Sequence, residues 1–437
     1  MIKPIVAATL MAASFSVFAG GQPAWFDKAV DAEYDKMVEM RIKLHQMPEL
    51  ANQEVKTQQV IVDFLKKAGV DKVIKGYKGS PTAVIGILNP DKGDTIGLRA
   101  DIDGLPIKEN TGLPYASKAK GKMWGRDTFV AHMCGHDAHM TMLLTAAKIL
   151  AQHKNEIKRR VVFVFQPAEE GDSLENPLTA KTPKVSGAKR LVADGLIEEF
   201  DIKHMFGIHV QTRAEPGVLE IASGSAMNSG DSFEINIEGK QAHGAMPWNS
   251  IDATLTTAQT VVALQQIVSR NINSSKGMGI ITVGKMTAGE TVNVISRQGY
   301  ILGTVRANDS SIRETMLKRI PEVAEYTAKA AGAKATTRII EAYPVTWNDP
   351  KLTAHTLKYF QSWDINAVPT TRNPGASEDF AYYAQKVPCV FMFLGVDSPD
   401  DKNAAINHSD KFKIYDPALK TGVKAHISAA MGDYSKY

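Results

Sequence analysis

Apolar positions at helical spacing open the folded part of the chain. Val30, Tyr34, Met37, Val38 and Leu44 predict a helix over 27–45, and Thr57, Ile61, Phe64 and Leu65 give 53–68 a second apolar face. Short apolar runs then alternate with helical stretches. Residues 82–88, 95–100, 161–165 and 204–210 read as buried strands, while Met140, Leu143, Leu144, Ala147, Ile149 and Leu150 make 137–153 an amphipathic helix. Strands alternating with helices imply an α/β layer fold.

From Asp231 the pattern shifts to a period of two, with Phe233, Ile235 and Ile237 alternating with Ser232, Glu234, Asn236 and Glu238. A helix (251–270), two strands (279–286 and 299–307), a helix (311–331) and a strand (335–341) follow, which is the β-α-β-β-α-β order of a ferredoxin-like unit. After Glu341-Ala-Tyr-Pro344 the α/β texture returns, with a helix at 352–361 and an apolar strand at 387–393. A small satellite domain, 227–342, is therefore expected as an insertion between two catalytic segments, 20–226 and 343–437.

Composition narrows the function classes. The 437 residues suit two or three domains, and 22% charged with 44% hydrophobic residues is ordinary for a soluble globular protein. The 51 Lys and Arg against 47 Asp and Glu are scattered, so no basic stripe points to nucleic acid. Two cysteines, Cys134 and Cys389, make no disulfide framework. At the N-terminus, Lys3, an apolar stretch from Pro4 to Phe18 and small residues before a cut after Ala19 read as a secretory leader, 1–19. The stretch falls short of the roughly 18 to 20 apolar residues that span a bilayer. A periplasmic or secreted product with no membrane attachment is expected.

The chemistry concentrates in His132-Met-Cys-Gly-His-Asp-Ala-His139, at the mouth of the 137–153 helix. Cys134 and His136 can turn toward one ion, with Gly135 permitting unusual backbone angles between them. Asp137 is placed to cap the helix, but capping explains neither the cysteine nor three histidines. Gln166-Pro-Ala-Glu-Glu-Gly171 follows a buried strand, where ligands of open α/β sheets bind. One of its carboxylates suits a metal ligand and its neighbour a general base. His209 closes another strand, and His408 lies in a loop near the C-terminus. Asp101 and Asp103 share one face of a strand end.

These residues, in order, resemble a known family. Arg99-Ala-Asp-Ile-Asp-Gly-Leu-Pro106, His132 to His139, Phe165-Gln-Pro-Ala-Glu-Glu-Gly171, Phe206-Gly-Ile-His209, Ala242-His-Gly-Ala-Met-Pro247 and Ser377-Glu-Asp-Phe-Ala381 look like the motifs of the M20 metallopeptidases. The match is to the amidohydrolase branch, with its aminoacylase-like, hippurate-hydrolase-like and auxin-conjugate-hydrolase-like enzymes. The resemblance implies a mixed-sheet metallopeptidase domain with an inserted satellite and two divalent metal ions, zinc or manganese, with cobalt and nickel as further candidates. The implied ligands are Cys134, His136, Glu170, His209 and His408, with Glu169 as general base. His243 would reach across, often into a partner subunit's site, to polarise the scissile carbonyl, and a homodimer would form through the satellite. Asn293 and Arg306 are candidates for holding a substrate carboxylate.

The expected reaction is hydrolysis of the amide of an N-acyl amino acid or related conjugate by metal-activated water. A dipeptidase or exopeptidase of the same family is the alternative. A non-catalytic periplasmic metal-binding protein is a further one, against which stands the spare carboxylate of Glu169. Nucleophilic attack by Cys134 is disfavoured, because His136 and Glu170 are better used around an ion. Two features depart from the family: its Asn-Val-Ile-Pro segment reads Asn293-Val-Ile-Ser296, and the link from Gly171 to Gly187 is unusually long.

Overall fold

A computed structural model describes residues 21–180 and 184–434; the expected leader, 1–19, lies outside the described residues. Its centre is an eight-stranded mixed sheet. The strands run in the order Lys72–Tyr77, Ser80–Leu88, Val161–Gln166, Thr95–Asp101, Ile202–Gln211, Cys389–Gly395, Leu219–Ala222 and Ala367–Thr370. The four from Val161–Gln166 to Cys389–Gly395 are mutually parallel, and antiparallel pairings flank them on both sides. Their unbroken apolar runs follow from that position, because a central parallel strand is covered on both faces.

One face is covered by the helices Phe26–His45, Val55–Ala68, His136–Gln152 and Leu419–Met431. The helix His136–Gln152 packs against Phe26–His45 and Leu419–Met431 as well as the sheet, so almost every side chain on it is buried, beyond what an amphipathic pattern implies. The other face carries the helix Gly187–Ala193 and the segment around Phe380 and Tyr383. Cys134 and Cys389 are both free.

A second, antiparallel sheet has the order Gly279–Ala288, Gln298–Ala307, Gly230–Glu238, Lys334–Tyr343. Phe233, Ile235 and Ile237 point into a separate core beneath the helices Ala253–Gln266 and Ser310–Ala330. The period-two alternation thus marks a sheet with helices on one face only. Periodicity does not reveal the strands Lys72–Tyr77, Leu219–Ala222 and Ala367–Thr370 or the hairpin Lys120–Met123 and Arg126–Phe129, which are short or half-exposed.

Candidate metal centre

The central parallel strands all end on one edge, where Asp101, Gln166 and His209 are presented together. Facing them is the turn that starts the helix His136–Gln152. Gly135 takes a φ of 95°, and a Cβ there would fall 2.2 Å from Val210 Cγ2. Only glycine lets the turn come this close, which brings Cys134 and His136 against the strand carrying His209.

Six of the expected residues converge. Cys134 Sγ lies 3.4 Å from His209 Nε2 and 3.1 Å from His408 Nε2, and the latter is 3.1 Å from Glu170 Oε1. His136 Nε2 is 3.9 Å from Glu169 Oε2 and 4.0 Å from Glu170 Oε1. Two triads able to hold a metal ion share the thiol: Cys134 with His136 and His209, and Cys134 with Glu170 and His408.

Neighbouring groups fix these orientations. His136 Nδ1 donates to the Asp103 carbonyl at 2.8 Å, and His209 Nδ1 to the Val210 carbonyl at 2.7 Å, so each ring turns its Nε2 inward. His136 Nε2 is buried with no hydrogen-bond partner, as a ligating nitrogen without its ion would be. The Asp103 carboxylate accepts the backbone N–H of Glu169 at 3.1 Å and of Glu170 at 3.0 Å. Asn407 Nδ2 donates to the carbonyls of Cys134 and Val210, and His408 N donates to the Met133 carbonyl, which ties the distant loop to the cluster.

His139 is near but fully engaged: Nδ1 donates to Asp101 at 2.6 Å, and Nε2 accepts the Val210 N–H at 2.8 Å. Asp101 is in turn held by Arg99 at 2.7 Å, and Arg99 also pairs with Glu378 and Asp379. The expected cap does not form. Asp137 turns away from the helix start to bond Arg41 at 3.2 Å and His45 at 2.9 Å, because both cations are buried beside it.

The electrostatics suit cations. Burial pushes the Cys134 thiol well above its ordinary pKa, with Glu170 and Glu169 adding to the effect. Burial, then Glu378 and Glu170, raise Glu169 likewise. Burial is the largest influence on Glu170 and opposes its charge, but His408 at 3.1 Å and the nearby His136 together outweigh it and lower that carboxyl. Burial would keep His136 neutral, yet Asp101 and Asp103 raise it to about 10, whereas burial holds His209 well below its usual value. A bound divalent cation inverts this balance, deprotonating a coordinating thiol outright. Cysteine, imidazole and carboxylate donors around an orphaned His136 Nε2 therefore fit such ions.

His243, Asn293 and Arg306 are not in the cluster. His243 and Asn293 are exposed and adjacent, on a ribbon in which His243 pairs with Val294 and Gly244 N donates to the Asn293 carbonyl. Arg306 sits at the junction of the two sheets, where a Cβ on Gly230 would meet both Ser377 Oγ at 2.3 Å and Arg306 Nη1 at 2.5 Å. The long link is anchored as it leaves the cluster: Asp172 to Asn52 and Trp124, and Ser173 to Gln53. Further on, Arg338 of the second sheet binds the carbonyls of Leu178 and Ala180. Tyr343, which carries no sequence signal, donates its hydroxyl to the Glu169 carbonyl at 2.8 Å.

Residues 97–432 match the sequence profile described as Peptidase family M20/M25/M40. The chain belongs to this family. It is 37% identical over 377 residues to an N-acetyl-L-cysteine deacetylase of Bacillus subtilis (strain 168), covering 84% of this chain and 82% of that one. With Thermostable carboxypeptidase 1 of Saccharolobus solfataricus it shares 33% over 401 residues, 91% of this chain and 95% of that one. A solved structure described as a dinuclear metal binding peptidase from the M20 family, from Bacillus subtilis, superposes with a TM-score of 0.75 at 27% identity, covering 92% and 98% of the two chains. Family M20 membership makes this chain a hydrolase of amide bonds.

Proposed function

We propose that the chain is a two-metal amidohydrolase that cleaves N-acyl amino acids or related amino-acid conjugates. The observation that carries this is the sharing of Cys134 between two triads, with Glu169 left over beside them. Cys134, His136 and His209 would hold one ion, and Cys134, Glu170 and His408 the other. Divalent ions there, zinc or manganese by donor type with cobalt and nickel as alternatives, would supply a Lewis acid for the carbonyl and a water of lowered pKa.

The protein's own groups do the rest. Glu169 is buried at the edge of the cluster, its Oε2 3.9 Å from His136 Nε2 and outside both thiol-sharing triads; as the general base it takes a proton from the attacking water and returns it to the leaving nitrogen. Asp103 and Tyr343 fix its backbone from two sides. Arg306, at the junction of the sheets, meets the substrate carboxylate, with Asn293 a secondary candidate. His243 polarises the carbonyl oxygen once closure or a second chain brings its ribbon to the cluster.

The same reading takes 227–342 as an inserted ferredoxin-like satellite. The exposed Trp248, Leu255 and Val262 give it an apolar surface on which two chains can pair. It also takes 1–19 as an export leader that sends the mature chain to the periplasm or outside the cell.

The test is turnover by the metal-loaded protein on N-acetyl and N-benzoyl amino acids against free dipeptides. Hydrolysis of the acyl amino acids is expected; inertness toward every amide after loading with each of the four metals would refute the proposal. A carboxypeptidase-type activity is the second reading, favoured by the carboxypeptidase relative, and peptide substrates in the same panel separate the two.

A further inference from the structure

We infer that Glu54 is a positioning residue for the turn bearing Glu169, its buried carboxylate holding the Ala168 backbone in the left-handed conformation from which Glu169 enters the cluster. The inference rests on the reading of Glu169 as the general base.

Glu54 occupies the N-cap position of the helix Val55–Ala68 but makes no side-chain bond to that helix. Glu49 does the capping, its Oε2 accepting the N–H groups of Lys56 and Thr57, both at 2.9 Å, and the Thr57 hydroxyl at 3.0 Å. Glu54 is thereby free to turn inward. It is 0% exposed, with Oε1 accepting the Ala168 N–H at 3.0 Å and Oε2 the Thr82 hydroxyl at 2.7 Å. A carboxylate so deeply buried is costly unless its oxygens are occupied, so its presence needs a reason beyond the helix it starts.

The turn supplies the reason. Ala168 has a φ of 56°, a region that a residue with a Cβ enters only when its surroundings hold it there. The successive N–H groups of Ala168, Glu169 and Glu170 all donate to carboxylates, the first to Glu54 and the next two to Asp103. Asp103 therefore fixes the turn after Ala168, and Glu54 fixes the strained residue itself. Without an acceptor for its N–H, Ala168 relaxes and carries the Glu169 side chain off its mark.

The experiment compares metal-loaded full-length Glu54→Met, Glu54→Gln and Glu54→Met/Ala168→Gly on an N-acetyl amino acid, with bound metal and melting temperature measured alongside. Glu54→Met keeps the volume but replaces the carboxyl oxygen with a thioether, a far weaker acceptor, and kcat is expected to fall about 10- to 100-fold with KM and metal content little changed. Glu54→Gln keeps an acceptor for Ala168 N–H and should retain most of kcat. Glycine adopts positive φ without an anchor, so Ala168→Gly should restore part of what Glu54→Met loses. Wild-type kcat in Glu54→Met, equal losses in the Met and Gln variants, or no recovery with glycine would each overturn the inference. If Glu54→Met does not fold, Glu54→Asp, which withdraws the carboxylate by one methylene, takes its place in the same comparison. A crystal structure of the acceptor-deficient variant reads the turn without activity: displacement of Ala168 and Glu169 is expected, and an unchanged turn overturns the inference. Should the wild-type chain hydrolyse no amide, the assignment of Glu169 falls and the crystal structure still decides the role of Glu54.

Discussion

His408 Nε2 lies 3.1 Å from Cys134 Sγ across 274 positions of sequence. The thiol also meets His209 Nε2 at 3.4 Å, so one sulfur serves both triads. Cys134→Ser is therefore expected to lower bound metal at both positions. Turnover should fall by more than the roughly 10- to 100-fold seen when a residue that only orients a ligand is lost. Elemental analysis after dialysis checks it, and two ions retained per chain would refute the shared thiol.

Glu169→Gln separates binding from chemistry. The amide keeps the size of the side chain and leaves both thiol-sharing triads intact, so metal content should be unchanged. Loss of a general base costs typically about 10²- to 10⁴-fold in rate, and kcat should fall by that amount with KM nearly constant. A metal-replete Gln variant with full kcat would remove the assignment.

Stripping the metal should destabilise the fold. Glu169 lies within a buried group that includes Glu378 and Asp379, and burial raises both Glu169 and Asp379 well above their usual values. Ions that bind only the folded chain stabilise it by mass action, by about 4 kcal/mol at a thousandfold excess over Kd. Melting curves before and after chelation, with zinc, manganese, cobalt or nickel restored separately, should show a fall and a metal-dependent recovery. An unchanged melting temperature would count against ions in this cluster.

At Gly135 two costs should be separable. Alanine at a φ of 95° is strained by about 1–2 kcal/mol, and its Cβ would lie 2.2 Å from Val210 Cγ2. Gly135→Ala should lose at least about 2 kcal/mol in urea unfolding, and Val210→Ala should return the steric part but not the backbone part. Additive losses in the double variant would show that Val210 is not what excludes the side chain.

Much of this arrangement is legible in the sequence because apolar runs mark the parallel strands, and Asp101, Glu169, Glu170 and His209 fall at or just after their carboxyl ends. The run from His132 to His139 stands out by composition. What periodicity cannot show is which of its members face the cluster: His139 looks like a ligand and is consumed by Asp101 and Val210, while Asp137 looks like a cap and is consumed by Arg41 and His45. Glu54, Tyr343 and Asn407 act through backbone groups of residues far away in sequence, and such contacts leave no local pattern. His243 and Asn293 are found side by side, yet on a ribbon outside the cluster, because motif order carries no information on how the two sheets are posed.

His45 gives the fold a pH dependence of predictable sign. Burial alone would lower its pKa, but Asp137 at 2.9 Å and Glu109 at 3.1 Å raise it from 6.5 to about 9. A group whose folded pKa is raised contributes stability that is complete below its unfolded pKa and is lost as pH climbs through the folded one. The window is therefore about pH 6.5 to 9, and the full effect is on the order of 3 kcal/mol at 1.36 kcal/mol per pKa unit. Urea unfolding at pH 6 and pH 9.5 should show the wild-type chain less stable at the higher value. His45→Gln should be less stable than wild type at pH 6 and should lose less on going to pH 9.5, because it has no proton to release. Arg41 stays charged across the whole window and keeps its bond to Asp137, so the buried carboxylate is never left without a cation. Equal pH slopes for wild type and His45→Gln would mean that His45 is not the group that titrates.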